Sequence, residues 1–161
     1  MPRRPKYLTK IHGVLPVDKP LGVSSAAVVR RVRFAAGNCK TGHAGTLDPM
    51  ATGLVVCCLG DATKLVPKLM ADRKVYRASV DLSAFSTTDD AEGELTPVPR
   101  AQTEMPDETA VRAQIDLWTG WVEQVPPAYS AVHVDGQRAY KLARAGEAVK
   151  LPAKRVHIES I

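Results

Sequence analysis

The chain has 161 residues, 45% of them hydrophobic and 24% charged, with a net charge of +5. That length suggests one domain with a real core, and the composition excludes a low-complexity chain. No apolar run reaches membrane-spanning length, and the three cysteines, Cys39, Cys57 and Cys58, fit neither a disulfide framework nor a zinc site.

The basic excess fits a nucleic-acid ligand without requiring one. Free thiols fit a reducing cytoplasm. The opening "MPRRPKYLTKIHG" is basic and lacks the hydrophobic stretch of a secretory signal, so residues 1–12 read as a flexible basic arm.

"GVLPVDKP" then reads as a short strand ending in a Pro-Leu-Gly turn. Ser24 or Ser25 can cap a following helix, with Val28, Val29 and Val32 on its apolar face and Gly37 as its stop. A glycine-rich loop, "GHAGTLDPMATG", comes next, and "LVVCCLG" is a buried strand by its continuous apolar run. "DATKLVPKLM" suggests a short helix that Pro67 bends or ends.

"KVYRASVDL" alternates like a strand, and "STTDDAEGELTPVPR" reads as a polar loop. "PDETAVRAQIDLWTG" predicts a helix: acids at its start, Val111, Ile115 and Trp118 on one face, Gly120 at its end. Asp135–Gly136 signals a hairpin, "QRAYKLARAG" a basic helix, and "KRVHIESI" a strand running to the last residue. That ending predicts a chain cut within its domain.

Asp48 is the one carboxylate in the glycine-rich loop. Before Pro49 its backbone is pushed toward extended conformations. Glycines at 42, 45 and 53 permit tight turns and close approach of a large ligand. On composition alone an Asx turn is the commoner use of such a residue. Yet the loop lacks the hydroxyl-rich and amide-rich character of an ordinary polar turn, and an ionised carboxylate can also serve as nucleophile or base.

His43 is a structural hydrogen-bonder or, with Lys40, a cationic and stackable edge for RNA. Lys19 is a solvated charge or a phosphate contact, and Tyr76 is a core residue or a base-stacking one. Asp89, Asp90, Glu92 and Glu94 fit no calcium loop and read as a solvated turn. Tyr129 and Tyr140, interleaved with Arg138, Lys141, Arg144, Lys150, Lys154 and Arg155, have the composition of an RNA-contacting surface, or of an ordinary basic helix.

Four blocks together resemble the bacterial tRNA pseudouridine-55 synthases of the TruB type. "GVLPVDKPLGVSS" resembles the family's opening signature and "KTGHAGTLDPMATGLVVCCLGDATK" its catalytic motif. "KVYRASVDL" resembles the strand bearing its active-site tyrosine, and "VPPAYSAVHVDGQRAYKLARAGE" its RNA-gripping thumb. A lone Gly-Thr-Leu-Asp would be weak evidence, whereas the ordered set is specific.

The resemblance implies an α/β (α+β) fold with a mixed, largely antiparallel sheet flanked by helices. It implies that Asp48 is the catalytic carboxylate of an isomerase that detaches uracil from its ribose, rotates it and rejoins it through carbon 5, with no metal or cofactor. Tyr76 would pack on the target base, and His43 would fill the space left by flipped T-loop nucleotides. Lys19 would support the active-site loop or contact RNA. Lys40, Tyr129, Arg138, Tyr140 and Arg144 would contact RNA, the last four in a thumb-like segment at about 124–152. The partner implied is the T arm of tRNA, with no membrane and no obligate protein partner.

Residues 13–161 would then be the N-terminal part of a catalytic domain. The later motifs, including an arginine that pairs with the aspartate, and a small RNA-binding PUA domain would lie beyond Ile161. The isolated chain is expected to be inactive. Two departures stand out: Leu82–Ser83 and Ser86–Thr87–Thr88 replace the usual Leu-Gly and Thr-Asp-Thr pattern, and His133 stands where the thumb usually has lysine. The rival reading is a non-catalytic RNA-binding or tRNA-folding module. An unrelated hydrolase with an aspartyl nucleophile lacks a supporting second acid.

Overall fold

The structure, a computed structural model, describes residues 10–99, 106–127, 133–134, 137–139, 142, 145 and 151–161. It divides into two units, Met1–Arg77 and Ala78–Ile161. Helices and small antiparallel sheets make up both, giving the mixed α/β content expected.

In the first unit the apolar runs pair. Strand β1 (Gly13–Lys19) lies antiparallel to β3 (Gly53–Leu59), in register from Gly13 opposite Leu59 to Lys19 opposite Gly53. A three-residue strand, β2 (Thr41–His43), pairs with the other edge of β3, giving the order β1-β3-β2. Too short and glycine-bearing to show a period of two, β2 has no signal in the sequence.

Helix α1 (Ser25–Ala35) covers one face of this sheet. Ser24, in extended conformation, caps it by accepting the Ala27 N–H at 3.2 Å. Gly37 and Asn38 adopt left-handed backbone just past its end, the conformation a helix stop uses. Val28, Val55 and Cys57 form the core, with Val17, Val23, Val29, Val32 and Leu47 packed against it. Fully burying a valine, as at Val28 and Val55, stabilises the fold by roughly 1.5–3 kcal/mol.

After β3 a 3₁₀ turn (Gly60–Leu65) leads into α2 (Val66–Ala71). Pro67 neither bends nor ends a helix, as the sequence had suggested. It sits in the first turn of α2, where its missing N–H has no intrahelical partner to lose. The alternating segment 73–82 carries no regular secondary structure, contrary to the predicted strand. Its pattern is strand-like, but no described strand pairs with it, and an unpaired strand has no ladder to hold it.

Among the described residues the second unit consists of paired strands and one helix whose two ends are both described, with Ala139 and Leu142 also helical. Strands β4 (Ala84–Ser86) and β5 (Leu95–Pro97) pair around the polar segment, which the sequence presented as loop throughout. At its turn the Asp90 carboxylate accepts bonds from the Thr88 hydroxyl at 2.6 Å and the Glu92 N–H at 2.9 Å. These bonds, Thr88 first, hold its pKa below the usual carboxylate value.

Helix α3 (Glu108–Asp116) is capped by Asp107, which accepts the Ala110 N–H at 2.7 Å. It stops four residues before Gly120, which instead opens β6 (Gly120–Gln124) with a φ of +90°. Trp118 therefore lies past the helix end and is exposed. Strand β6 pairs antiparallel with the final strand, here β9 (Lys154–Ile158). In the chain between these two strands, β7 (His133–Val134) and β8 (Gln137–Arg138) pair antiparallel, His133 opposite Arg138, and the Asp135–Gly136 turn signal itself lies outside the described residues.

Candidate active site

The loop between β2 and β3 carries Asp48, and its neighbours on both sides are fastened while its own side chain is not. On the N-terminal side, the Ser25 hydroxyl accepts the Leu47 N–H and donates to the Leu47 carbonyl, both at 2.9 Å. Ser25 is 1% exposed, and the Leu47 side chain packs against the Val28–Val55–Cys57 core. On the C-terminal side, the Pro49 carbonyl accepts the Gly22 N–H at 2.8 Å and the Lys19 ammonium at 3.3 Å. The Asp48 carbonyl closes a turn onto the Ala51 N–H at 3.0 Å.

Between these ties the Asp48 side chain is exposed, and among the described residues no hydrogen bond or ion pair reaches its carboxylate. An Asx turn would show that carboxylate accepting a backbone N–H two residues on. The turn here is made by the backbone carbonyl instead. A carboxylate on a fixed backbone, open to solvent, is free to meet a ligand.

Gly22, with φ of +77°, holds the tight turn that aims its N–H at Pro49. Gly53, at +121°, lets β3 leave the loop at an angle other residues rarely adopt.

Lys19 is fully buried. The solvated charge expected of a lysine between Asp18 and Pro20 is not found. Its ammonium donates to the carbonyls of Val23 at 2.7 Å, Pro20 at 3.2 Å and Pro49 at 3.3 Å. Strand alternation held the signal, since Lys19 follows the inward Val17 by two residues.

His43 is half-buried at the end of β2, and its Nδ1–H donates to the Gly45 carbonyl, which fixes the ring and leaves Nε2 free of that bond. Lys40 sits at the opposite end of the strand, where its carbonyl accepts the Gly60 N–H at 2.7 Å and its exposed charge acts on Asp61. Asp61 is ion-paired to Lys64 at 3.0 Å, and its backbone N–H donates to His12 Nδ1 at 2.9 Å. Its pKa is lowered, most by the Lys64 hydrogen bond.

Tyr76 is 71% exposed on the irregular segment, and among the described residues no hydrogen bond or ring contact joins it to the loop. The backbone of Arg138 lies in β8, while its side chain and the whole of Tyr129, Tyr140 and Arg144 fall outside the described residues. The sequence reading missed the Ser25 bracket and the Gly22 N–H. The serine pair after the Pro-Leu-Gly turn was the available sign of both.

An open carboxylate on a glycine-rich loop, braced by neighbours and backed by a small sheet and helix, has the chemistry to act as a nucleophile or general base. Residues 31–161 match the TruB family pseudouridylate synthase N-terminal domain. The chain is 51% identical over 152 residues to the tRNA pseudouridine synthase B of Paracoccus denitrificans, covering 94% of this chain and 50% of that protein. It is 53% identical over 146 residues to the Thermobifida fusca protein of the same name, covering 91% and 49%. The Sinorhizobium medicae protein, also so named, matches at 45% over 157 residues, 98% and 49%.

The chain belongs to the TruB family of pseudouridine synthases. It spans about half the length of the curated relatives it matches. No helix among the described residues is long and apolar enough to cross a membrane.

Proposed function

We propose that the whole protein converts a uridine of the tRNA T loop to pseudouridine, with Asp48 as its catalytic carboxylate. The observation that carries this reading is the exposed, unpartnered Asp48 side chain between the fastened Leu47 and Pro49. Membership of the family supplies the reaction class. The glycosidic bond of a loop uridine is shielded by stacking, so the base must be turned out before a carboxylate can reach it. A loop of small residues with an outward acid suits such a nucleotide, because backbone and sugar can approach closely.

The other residues fall into three groups under this reading. His43, locked by Gly45, presents a fixed ring edge to displaced bases, and Tyr76 packs on the turned-out uracil. Lys19 supports the loop, because its ammonium is already committed to three carbonyls. Lys40 and the thumb residues Tyr129, Arg138, Tyr140 and Arg144 hold the RNA backbone, which makes binding sensitive to salt.

The test uses a T-arm RNA hairpin, the whole protein and an Asp48→Asn variant, with pseudouridine scored by chemical probing. Product from the parent and a loss of about 10⁴-fold or more in the variant are expected. Binding by both with product from neither means an RNA-binding module. Equal product from both removes Asp48 from the mechanism.

A further inference from the structure

Two adjacent serines follow the Pro-Leu-Gly turn, and helix capping uses only one of them. Ser24 is the cap. Ser25, one residue into the helix and 1% exposed, turns its hydroxyl away from the helix to a residue 22 positions later. There it makes both bonds a hydroxyl can make to one residue, accepting from the Leu47 N–H and donating to the Leu47 carbonyl.

We infer that Ser25 is a positioning residue for the reaction: its hydroxyl sets the peptide planes of Leu47 and so the direction in which Asp48 leaves the loop. The inference rests on the catalytic reading of Asp48. A side chain packed in the core can locate Leu47 but leaves its peptide groups free to tilt. The hydroxyl removes that freedom, because tilting either plane would break one of two 2.9 Å bonds. The carbonyl of Leu47 belongs to the peptide that carries the Asp48 nitrogen, so a tilt there swings the Asp48 side chain directly. Reacting groups must be held to within a fraction of an ångström, and a misplacement of about 1 Å can cost about 100-fold in rate.

Helix α1 is the rigid body behind this arrangement. Its first turn carries Ser25 and its next turn carries Val28, which is buried in the core that Leu47 also touches. One helix thus holds Leu47 twice, by side chain and by backbone. If Ser25 served only to stabilise the fold, its loss would lower the melting temperature and leave the rate of the folded enzyme unchanged.

The experiment compares the whole protein, Ser25→Ala and Val32→Ala. Val32→Ala also weakens α1 packing but makes no bond to the loop. Single-turnover pseudouridine formation on a saturating T-arm hairpin, Kd for that hairpin, melting temperature and amide exchange at Leu47 are measured on each. Ser25→Ala is expected to slow the single-turnover step by about 10- to 100-fold with Kd within about two-fold. Its Leu47 amide is expected to exchange faster by about ten-fold or more. Val32→Ala should lose melting temperature and keep its rate.

A Ser25→Ala rate within about two-fold of the parent, an unchanged Leu47 amide, or an equal rate loss in Val32→Ala overturns the inference. If Ser25→Ala does not fold, Ser25→Cys, nearly isosteric and a weak bonding group in both directions, is read by the same criteria. A parent that makes no pseudouridine would refute the functional reading instead, and the exchange measurement would still report whether Ser25 holds the loop.

Discussion

Replacing Lys19 with methionine tests whether this lysine is a loop clip or a ligand contact. Methionine keeps most of the apolar stem and removes the ammonium. Three carbonyls lose a donor, those of Val23, Pro20 and Pro49. Pro49 keeps the Gly22 N–H at 2.8 Å, and Pro20 is exposed, so water can reach its carbonyl.

Val23 therefore bears the largest loss, since its 2.7 Å bond is the shortest of the set. Val23 is partly buried, and leaving such an acceptor unpaired costs about 1–3 kcal/mol, with bonds to a charged donor at the upper end. Relief of the buried charge offsets part of the remainder. The net is about 2–4 kcal/mol, or roughly 5–15 °C in melting temperature for a chain of this size. Thermal unfolding followed by circular dichroism at neutral pH measures it. A melting temperature within about 2 °C of the parent, together with a salt slope for RNA binding shallower by about one, would show instead that Lys19 faces phosphate and the clip is wrong.

Two further perturbations test other parts of the first unit. Gly60 has φ of +57°, and an added Cβ would lie 2.3 Å from the Ile11 carbonyl oxygen and 2.6 Å from His12 Nδ1. Gly60→Ala should therefore destabilise by about 2 kcal/mol or more, read by urea unfolding, and a change under about 0.5 kcal/mol would contradict the tight approach. Burial raises the Cys57 thiol above its ordinary pKa, with Cys58 adding to it, and burial likewise raises Cys58. A raised native pKa gives stability that is complete below the unfolded thiol value and is lost as pH climbs through the native one. The urea midpoint should therefore fall as pH rises above about 8.5, the ordinary thiol value, and fall less in a Cys57→Ala, Cys58→Ala double variant. An identical pH slope in both proteins would remove the thiols from the account.

Much of the first unit was legible because its signals are strong and local. The run at 54–59 could only be a buried strand, and the valines at 28, 29 and 32 mark one face of a helix. Asp48 was legible as a candidate from its company of glycines, though composition alone favoured a turn. What escaped was the bracing. Lys19 looked solvated because charge is normally a surface property. Only the three carbonyls gathered by the Pro-Leu-Gly turn and the loop make its burial tolerable. Ser25 was one of two equal candidates for the cap, and a bond spanning 22 residues leaves no periodic trace.

The segment around Tyr76 failed for a different reason. Alternation describes what a strand would bury, and pairing decides whether it becomes one. The ribbons β4–β5 and β6–β9 were missed or half-seen because three- and five-residue strands carry too few turns of the pattern to read.

The ties on the Asp48 loop grip main-chain atoms: the N–H and carbonyl of Leu47 and the carbonyl of Pro49. Such a grip is indifferent to most side chains within the loop. Thr46 and Met50 can drift in sequence without moving the acid between them, whereas Lys19 and Ser25, more than twenty positions upstream, cannot. In a saturation-mutagenesis map intolerance would therefore appear at Lys19 and Ser25, well away from Asp48 along the chain, as well as at the core-packed Leu47 and at Gly53, while Thr46 and Met50 would be permissive.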